Sequence, residues 1–161
     1  MQEGSGVKTI ADSMTETIRV VVPQHLNGAG TLFGGQLALW IDEVAGVVAA
    51  RHCRSSVTTA AIDNLRFREP MYQNELLIMR GKVTFTGTTS LEVRVDSFAE
   101  NIHGKTKLIN TAFVIMVSLG QEGKPITVPG LALQNEIEQA EFEAGKRRKE
   151  VRMRLNKELY E

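Results

Sequence analysis

One segment of the sequence, GGQLALWIDEVAGVVAAR at 34–51, constrains the fold more than any other. Its apolar residues recur at spacings of four, three and four, which is the period of one face of an α-helix. They are Leu37, Ile41, Val44 and Val48, with Trp40 and Val47 beside them. The pattern predicts a long helix that buries this face against a sheet, with Asp42 on the opposite side.

The rest of the sequence predicts the sheet and a second helix. β-Branched and alternating segments separated by turn residues are typical of antiparallel strands. They are TETIRVVV at 15–22, VTTAAIDNLRF at 57–67, LLIMRGKVTFT at 76–86, SLEVRVDSF at 90–98 and KLINTAFVIMVSL at 107–119. A charged helix is predicted from about Asn135, acidic at its start and basic at its end, which suits the helix dipole. We expect one α+β domain at 15–130, after a loose leader at 1–14 and before a C-terminal helix within 131–161.

Size, charge and cysteine content exclude several classes of protein. A chain of 161 residues suits a single domain. Nineteen basic and nineteen acidic side chains cancel, so no overall charge attracts nucleic acid or an anionic membrane. There is one cysteine, the first 30 residues do not resemble a signal peptide, and no apolar run is long enough to span a bilayer. We expect a soluble, cytoplasmic protein.

Asp42 has two interpretations. As part of an amphipathic helix, Asp42 and Glu43 form an ordinary solvated edge, and for an isolated carboxylate this is the commoner case. However, the neighbours of Asp42 on that side are small: Gly35, Ala38, Ala45, Gly46 and Ala49. Because solvated helix faces carry more long polar side chains, this face is predicted to be covered by a second subunit, a ligand or both. A carboxylate desolvated there would be a stronger general base.

The loop before the helix, NGAGTLFGG at 27–35, offers a second chemical feature. The first helical amides, near Gly34 and Gly35, can bind an anion or a developing oxyanion, although glycines in a loop also serve as simple turns. Gly35 and Asp42 are about 10 Å apart along a helix that rises 1.5 Å per residue. One carbonyl cannot contact both, since reacting atoms must approach to about 3–3.5 Å. If both serve one reaction, two antiparallel helices from two subunits must supply them.

A family resemblance rests on several of these segments. The motif N-G-x-G-T-L-F-G-G-x-L at 27–37, followed by I-D-E at 41–43, resembles the signature of cytosolic acyl-CoA thioesterases with the hotdog fold. The likeness continues through VTTAAIDNLRFREP at 57–70, GTTSLEVRV at 87–95 and NTAFVIMVSLGQEGKP at 110–125. It covers about 15–129, leaving out the leader and the C-terminal helix.

The resemblance implies a fold, an assembly and a reaction. The long helix is wrapped by an antiparallel sheet, and chains pair into a homodimer with two sites at its interface, three such dimers forming a hexamer. Asp42 is implied as general base or nucleophile in the hydrolysis of fatty acyl-CoA to free fatty acid and CoA. Asn27 is implied as its partner across the dimer interface, and the amides near Gly34 and Gly35 as donors to the carbonyl. No metal or dissociable cofactor is expected.

The CoA half of the substrate is expected to lie along the strand surfaces. The candidate contacts, which can equally be strand formers and a hairpin turn, are Thr58, Thr59, Gly87, Thr88, Thr89 and Ser90. The basic residues at 146–149 are either phosphate contacts or a solvated helix end. Apolar side chains suited to an acyl tunnel are Leu32, Phe33, Trp40 and Phe67.

Other chemistries find less support. His25, His52 and His103 lack metal-ligand spacing and Cys53 has no second cysteine, so we interpret His52 as a helix-end cation and Cys53 as a buried filler. A hotdog hydratase would pair an acid with a histidine, and none lies on the Asp42 face. The alternative that stays open is a protein that binds or senses acyl-CoA without cleaving it.

Overall fold

A curled sheet of five antiparallel strands surrounds the predicted helix. The coordinates are a computed structural model, and they describe residues 6–161. The elements are β1 (Lys8–Thr9), β2 (Thr15–Val20), α1 (Gly34–Cys53), β3 (Ser56–Asp63), β4 (Leu76–Thr86), β5 (Ser90–Glu100), β6 (Thr106–Leu119), β7 (Leu131–Ala132) and α2 (Glu136–Leu159). The strands of the sheet lie in the order β2-β4-β5-β6-β3, and a separate parallel pair joins β1 to β7.

The apolar stripe of α1 fills the inside of the curl, as predicted. Leu37, Ile41, Val44 and Val48 are all fully buried, and the helix approaches β4 so closely that only glycine fits opposite it. A Cβ atom at Gly81 would lie 2.8 Å from Cγ1 of Val44 and 2.9 Å from Cγ2 of Val48. The apolar stripe determines which face of α1 is buried, and the absence of a side chain at Gly81 allows that face to approach β4 closely.

The second helix packs on the outer face of the same sheet. It begins where predicted, because the side chain of Asn135 accepts a hydrogen bond from the N–H of Glu138. Glu141 pairs with Lys82 of β4 and Arg94 of β5, and these strand residues alternate with inward-facing valines. The charged sequence of α2 therefore reflects a packed helix that binds the sheet through ion pairs.

Two sequence predictions are wrong in detail. The strand predicted at 57–67 ends at Asp63, because Asn64 adopts a left-handed backbone (φ 59°) and its side-chain amide donates to the carbonyl of Thr111. The leader is ordered from residue 8, since β1 pairs with β7 and Ile10 is buried beside it, while residues 1–5 lie outside the described chain. No helix within residues 6–161 has the length and apolar character needed to cross a membrane.

Candidate active site

Asp42 lies on the outward side of α1 and is held by a neighbouring strand. The hydroxyl of Thr59, on the edge strand β3, donates a 2.6 Å hydrogen bond to Oδ1 of Asp42. Such a bond to a carboxylate is short and charge-assisted. It orients one carboxylate oxygen toward the protein and leaves Oδ2 for another partner.

The helix surface around Asp42 differs in part from the prediction. Ala45 and Ala49 are fully buried because the curled sheet covers more of the helix than one stripe. Gly35, Ala38 and Gly46 do face outward beside Asp42. Val47, predicted beside the buried face, is instead 47% exposed.

This outward surface carries little free charge. Its second carboxylate, Glu43, forms a 2.7 Å ion pair with Arg19 of β2. Leu39 is exposed on the same side of the helix. An exposed apolar surface with one uncompensated carboxylate is unusual for a solvated helix face and suits a covered one.

Asn27 belongs to a tight loop that fixes its side chain. Its carbonyl oxygen Oδ1 accepts from the N–H groups of Ala29 (2.9 Å) and Thr31 (3.1 Å), and its amide donates to the Thr31 hydroxyl. Gly30 has a φ of 76°, which favours glycine over other residues at the turn. The second N–H of the Asn27 amide is free to face a ligand, because no residue among 6–161 accepts it.

The amino end of α1 supplies the predicted backbone donors. Helix α1 begins at Gly34, and within the described chain neither the Gly34 nor the Gly35 amide has an acceptor. A cavity of about 340 Å³ opens at this end and is lined by both Asn27 and Gly34. The loop asparagine and the helix N-terminus therefore share one space.

Asp42 is not part of that space. It does not line the cavity, and its hydrogen bond goes to Thr59 rather than to Asn27. Gly34 precedes Asp42 by eight residues, which is about 12 Å of helix. One chain brings together Asn27 and the amides, and separately Asp42 and Thr59.

The predicted CoA contacts are divided between the two faces of the sheet. Thr59 faces α1, so its neighbour Thr58 points to the opposite face. Thr58 and Ser90 are both registered against Val117, so they lie in one cross-strand row. In the turn from Gly87 to Ser90, the carbonyls of Thr88 and Thr89 already accept from Val128 and Ser118.

The basic residues of α2 do not all have the same surroundings. Arg148, predicted as a phosphate contact or a solvated residue, makes two bonds to the buried carboxylate of Glu92, at 2.7 and 3.0 Å. Glu92 is 2% exposed and also accepts from the Thr84 hydroxyl. Lys149 instead lies beside the turn, where a Cβ atom at Gly87 would be 2.9 Å from its Nζ. The sequence does not predict the pair of Glu92 with Arg148. The alternation of residues along β5 places Glu92 on the outer face of the sheet, and that face is buried only because α2 packs on it.

The histidines and the cysteine do not assemble into a further site. His52 is fully buried, its Nε2 donates to the carbonyl of Pro129, and burial lowers its pKa, so the prediction of a helix-end cation is wrong. Cys53 is the buried filler that was expected, and burial raises the pKa of its thiol. Among residues 6–161, no three His, Cys, Asp or Glu side chains cluster as metal ligands would.

A larger groove of about 710 Å³ lies elsewhere, between the second half of α2 and the end of β3. It is lined by Arg148 and Arg152 together with Val151 and Leu155, and neither Asn27 nor Asp42 is among its lining residues. The candidate active site is therefore the smaller cavity at the N-terminus of α1, because Asn27 and Gly34 line it.

Comparison with known sequences identifies relatives of this arrangement. Residues 29–104 match the model of the thioesterase superfamily. An uncharacterized acyl-CoA thioester hydrolase of Bacillus subtilis is 39% identical over 73% of this chain and 69% of its own length. The rat cytosolic acyl coenzyme A thioester hydrolase is 36% identical over 87% of this chain, and the match spans 38% of the rat protein.

Solved structures share the whole fold. An acyl-CoA hydrolase from Staphylococcus aureus, solved in complex with butyryl coenzyme A and coenzyme A, is 31% identical with a TM-score of 0.88 over 94% of this chain and 93% of its own. Its structures include variants in which an asparagine, an aspartate or a threonine is replaced by alanine. A hexameric acyl-CoA thioesterase is 35% identical with a TM-score of 0.86 over 92% of this chain and 96% of its own. The chain therefore belongs to the thioesterase superfamily, with the hotdog fold of its acyl-CoA hydrolases.

Proposed function

We propose that the protein hydrolyses fatty acyl-CoA to a free fatty acid and CoA, with Asp42 as the catalytic carboxylate. The observation that carries this proposal is the hydrogen bond from Thr59, which orients Asp42 on an outward surface whose other carboxylate, Glu43, is paired with Arg19. The variants of the S. aureus hydrolase give it further support. Their asparagine, aspartate and threonine follow one another at intervals of fifteen and seventeen residues, which is the spacing of Asn27, Asp42 and Thr59.

The proposed reaction needs only groups that the chain supplies. Asp42 either takes a proton from water that attacks the thioester carbon or attacks that carbon itself, forming an anhydride that water then cleaves. The carbon–sulfur bond breaks, and the CoA thiolate leaves and takes up a proton. The amides of Gly34 and Gly35 donate to the carbonyl oxygen as it becomes negative, where one such donor is typically worth about 10²–10³ in rate. The free N–H of Asn27 orients the water or the thioester. Neither a metal nor a dissociable cofactor has a role in this scheme.

Two chains are required for this reaction. The separation of about 12 Å between Gly34 and Asp42 of one helix exceeds the roughly 3–3.5 Å over which both must meet one carbonyl. Two antiparallel α1 helices would bring Asp42 and Thr59 of one chain to Asn27 and Gly34 of the other. β3 is at the edge of the sheet and its backbone is free to pair with a second copy. We propose a dimer as the catalytic unit, three dimers as the full assembly, and the cytoplasm as its location.

Mixing two inactive variants tests the shared site. Asp42→Asn and Asn27→Ala should each lose most thiol release from acyl-CoA while remaining folded oligomers. In a mixed two-fold dimer, one site carries both substitutions and the other carries neither, so activity should return after the two variants are dissociated and reassembled together. No recovery in dimers shown to be mixed would refute the two-chain site.

Glu43→Gln is the matched control for Asp42→Asn. It neutralises the adjacent carboxylate on the same helix surface, but Glu43 is already paired with Arg19, so turnover should stay near the wild-type value. Full activity of Asp42→Asn would contradict the proposed mechanism. Tight binding of acyl-CoA by the wild-type protein with no release of CoA would favour the sensor instead.

A further inference from the structure

We infer that Phe67 is the residue that sets the length of the acyl group, an inference that rests on the proposed function. The cavity at the N-terminus of α1 is lined by Asn27 and Gly34, by apolar side chains that include Leu32, Leu37 and Ile109, and by the charged residues Arg68 and Glu69. Phe67 is the one aromatic side chain among the described residues that line it. An acyl chain whose thioester meets the Gly34 amide would extend along these apolar side chains.

The ring of Phe67 lies directly against the helix N-terminus. A Cβ atom at Gly34 would be 3.1 Å from Cζ of Phe67 and 3.3 Å from Cε2, so the ring and the first helical residue are in close contact. A group bound at the Gly34 amide would therefore lie close to the ring. The cavity, about 340 Å³, is near the lower limit of small-molecule sites, so one ring is a substantial part of its boundary.

The ring is held there by its backbone. Residues 64–69, named here the 64–69 loop, follow β3 and lie along β6. The carbonyl of Arg66 accepts a 2.7 Å bond from the side chain of Asn110, and the N–H of Arg68 donates to the carbonyl of Ile109 at 3.1 Å. Both neighbours of Phe67 are thus fixed to β6, and Asn110 is fully buried. A side chain can discriminate between acyl lengths only if its position is fixed, and these two hydrogen bonds fix the backbone on both sides of Phe67.

Phe67 is also a residue whose truncation the fold should tolerate. Its side chain is 52% exposed in the single chain, and it packs against Gly34 and the cavity rather than within the main core. Tyr72 provides a matched control. It is also aromatic and 51% exposed, but it does not line the cavity.

The experiment compares kcat/KM across straight-chain acyl-CoA substrates of increasing length for the wild type, Phe67→Ala, Phe67→Trp and Tyr72→Ala. In Phe67→Ala, the ratio of kcat/KM for long relative to short acyl groups should rise by about tenfold or more, the discrimination typical of one methylene in an apolar pocket. Phe67→Trp should shift the ratio toward shorter groups, and Tyr72→Ala should keep the wild-type profile.

An unchanged profile in both Phe67 variants, or the same shift in Tyr72→Ala, would overturn the assignment while leaving the proposed hydrolysis intact. If the wild type releases no CoA from any substrate, the proposed function fails. The same substrate series measured as binding affinity then still tests whether Phe67 selects by length.

Discussion

Replacing Arg148 should destabilise the protein far more than replacing its neighbour Arg147. Arg148 makes two hydrogen bonds to Glu92, whose side chain is 2% exposed, and its guanidinium lies 3.8 Å from the ring centre of Phe113. Arg148→Met keeps much of the apolar stem but leaves a buried carboxylate with the Thr84 hydroxyl as its remaining partner. We therefore expect a large loss in the free energy of unfolding.

The size of that loss follows from burial. Breaking a buried ion pair by removing one partner typically costs about 3–5 kcal/mol. Because the Arg148 side chain is itself 30% exposed, water can reach the vacated space, and the lower end of that range, about 3 kcal/mol, is expected. The loss of the contact with Phe113 adds roughly 0.5–1 kcal/mol. The cost arises mostly from the stranded charge, so Glu92→Gln combined with Arg148→Met should recover part of it.

Urea unfolding measures these differences, at one protein concentration because assembly contributes to stability. Arg147 is exposed and belongs to no ion pair among residues 6–161, so Arg147→Met should change the free energy of unfolding by about 0.5 kcal/mol or less. The reasoning is refuted if Arg148→Met and Arg147→Met have equal stabilities, or if adding Glu92→Gln makes Arg148→Met still less stable.

Two further predictions concern Thr59 and His52. Thr59→Ala removes a hydrogen bond to a charged group worth about 1.5–3 kcal/mol, so kcat should fall roughly tenfold to a hundredfold, while Thr59→Ser restores most of it; a wild-type kcat in Thr59→Ala would count against orientation of Asp42 by Thr59. Burial holds the pKa of His52 below its usual value near 6.5, and no group within residues 6–161 accepts a hydrogen bond from its Nδ1. The unfolded chain therefore binds the proton more readily, so this contribution to stability is complete above pH 6.5 and is lost as the pH falls, by up to about 1.4 kcal/mol per pH unit. His52→Gln should flatten that slope in unfolding measurements between pH 7 and 5, and an unchanged slope would contradict the assignment.

The sequence determined the parts of the fold that depend on local periodicity. The stripe from Leu37 to Val48 predicts α1, and the strand segments match β2 to β6 within a few residues, because each pattern reflects one buried face. The motif at 27–43 led to the thioesterase family, which the comparisons confirm. The separation of Gly35 from Asp42 is a property of helix geometry, so the sequence alone predicts a site shared by two chains.

The tertiary structure decided which residues meet across long separations. Thr59 and Asp42 are 17 residues apart and Arg148 and Glu92 are 56 apart, and no local pattern connects either pair. Ala45 and Ala49 are buried because the sheet curls around α1, and Asn64 ends β3 early because its side chain bonds to Thr111. Phe67 could be recognised as apolar from the sequence, but its place against Gly34 depends on the anchoring of the 64–69 loop to β6. Local sequence specifies an element and its buried face, whereas the partners of a side chain are set by how those elements pack.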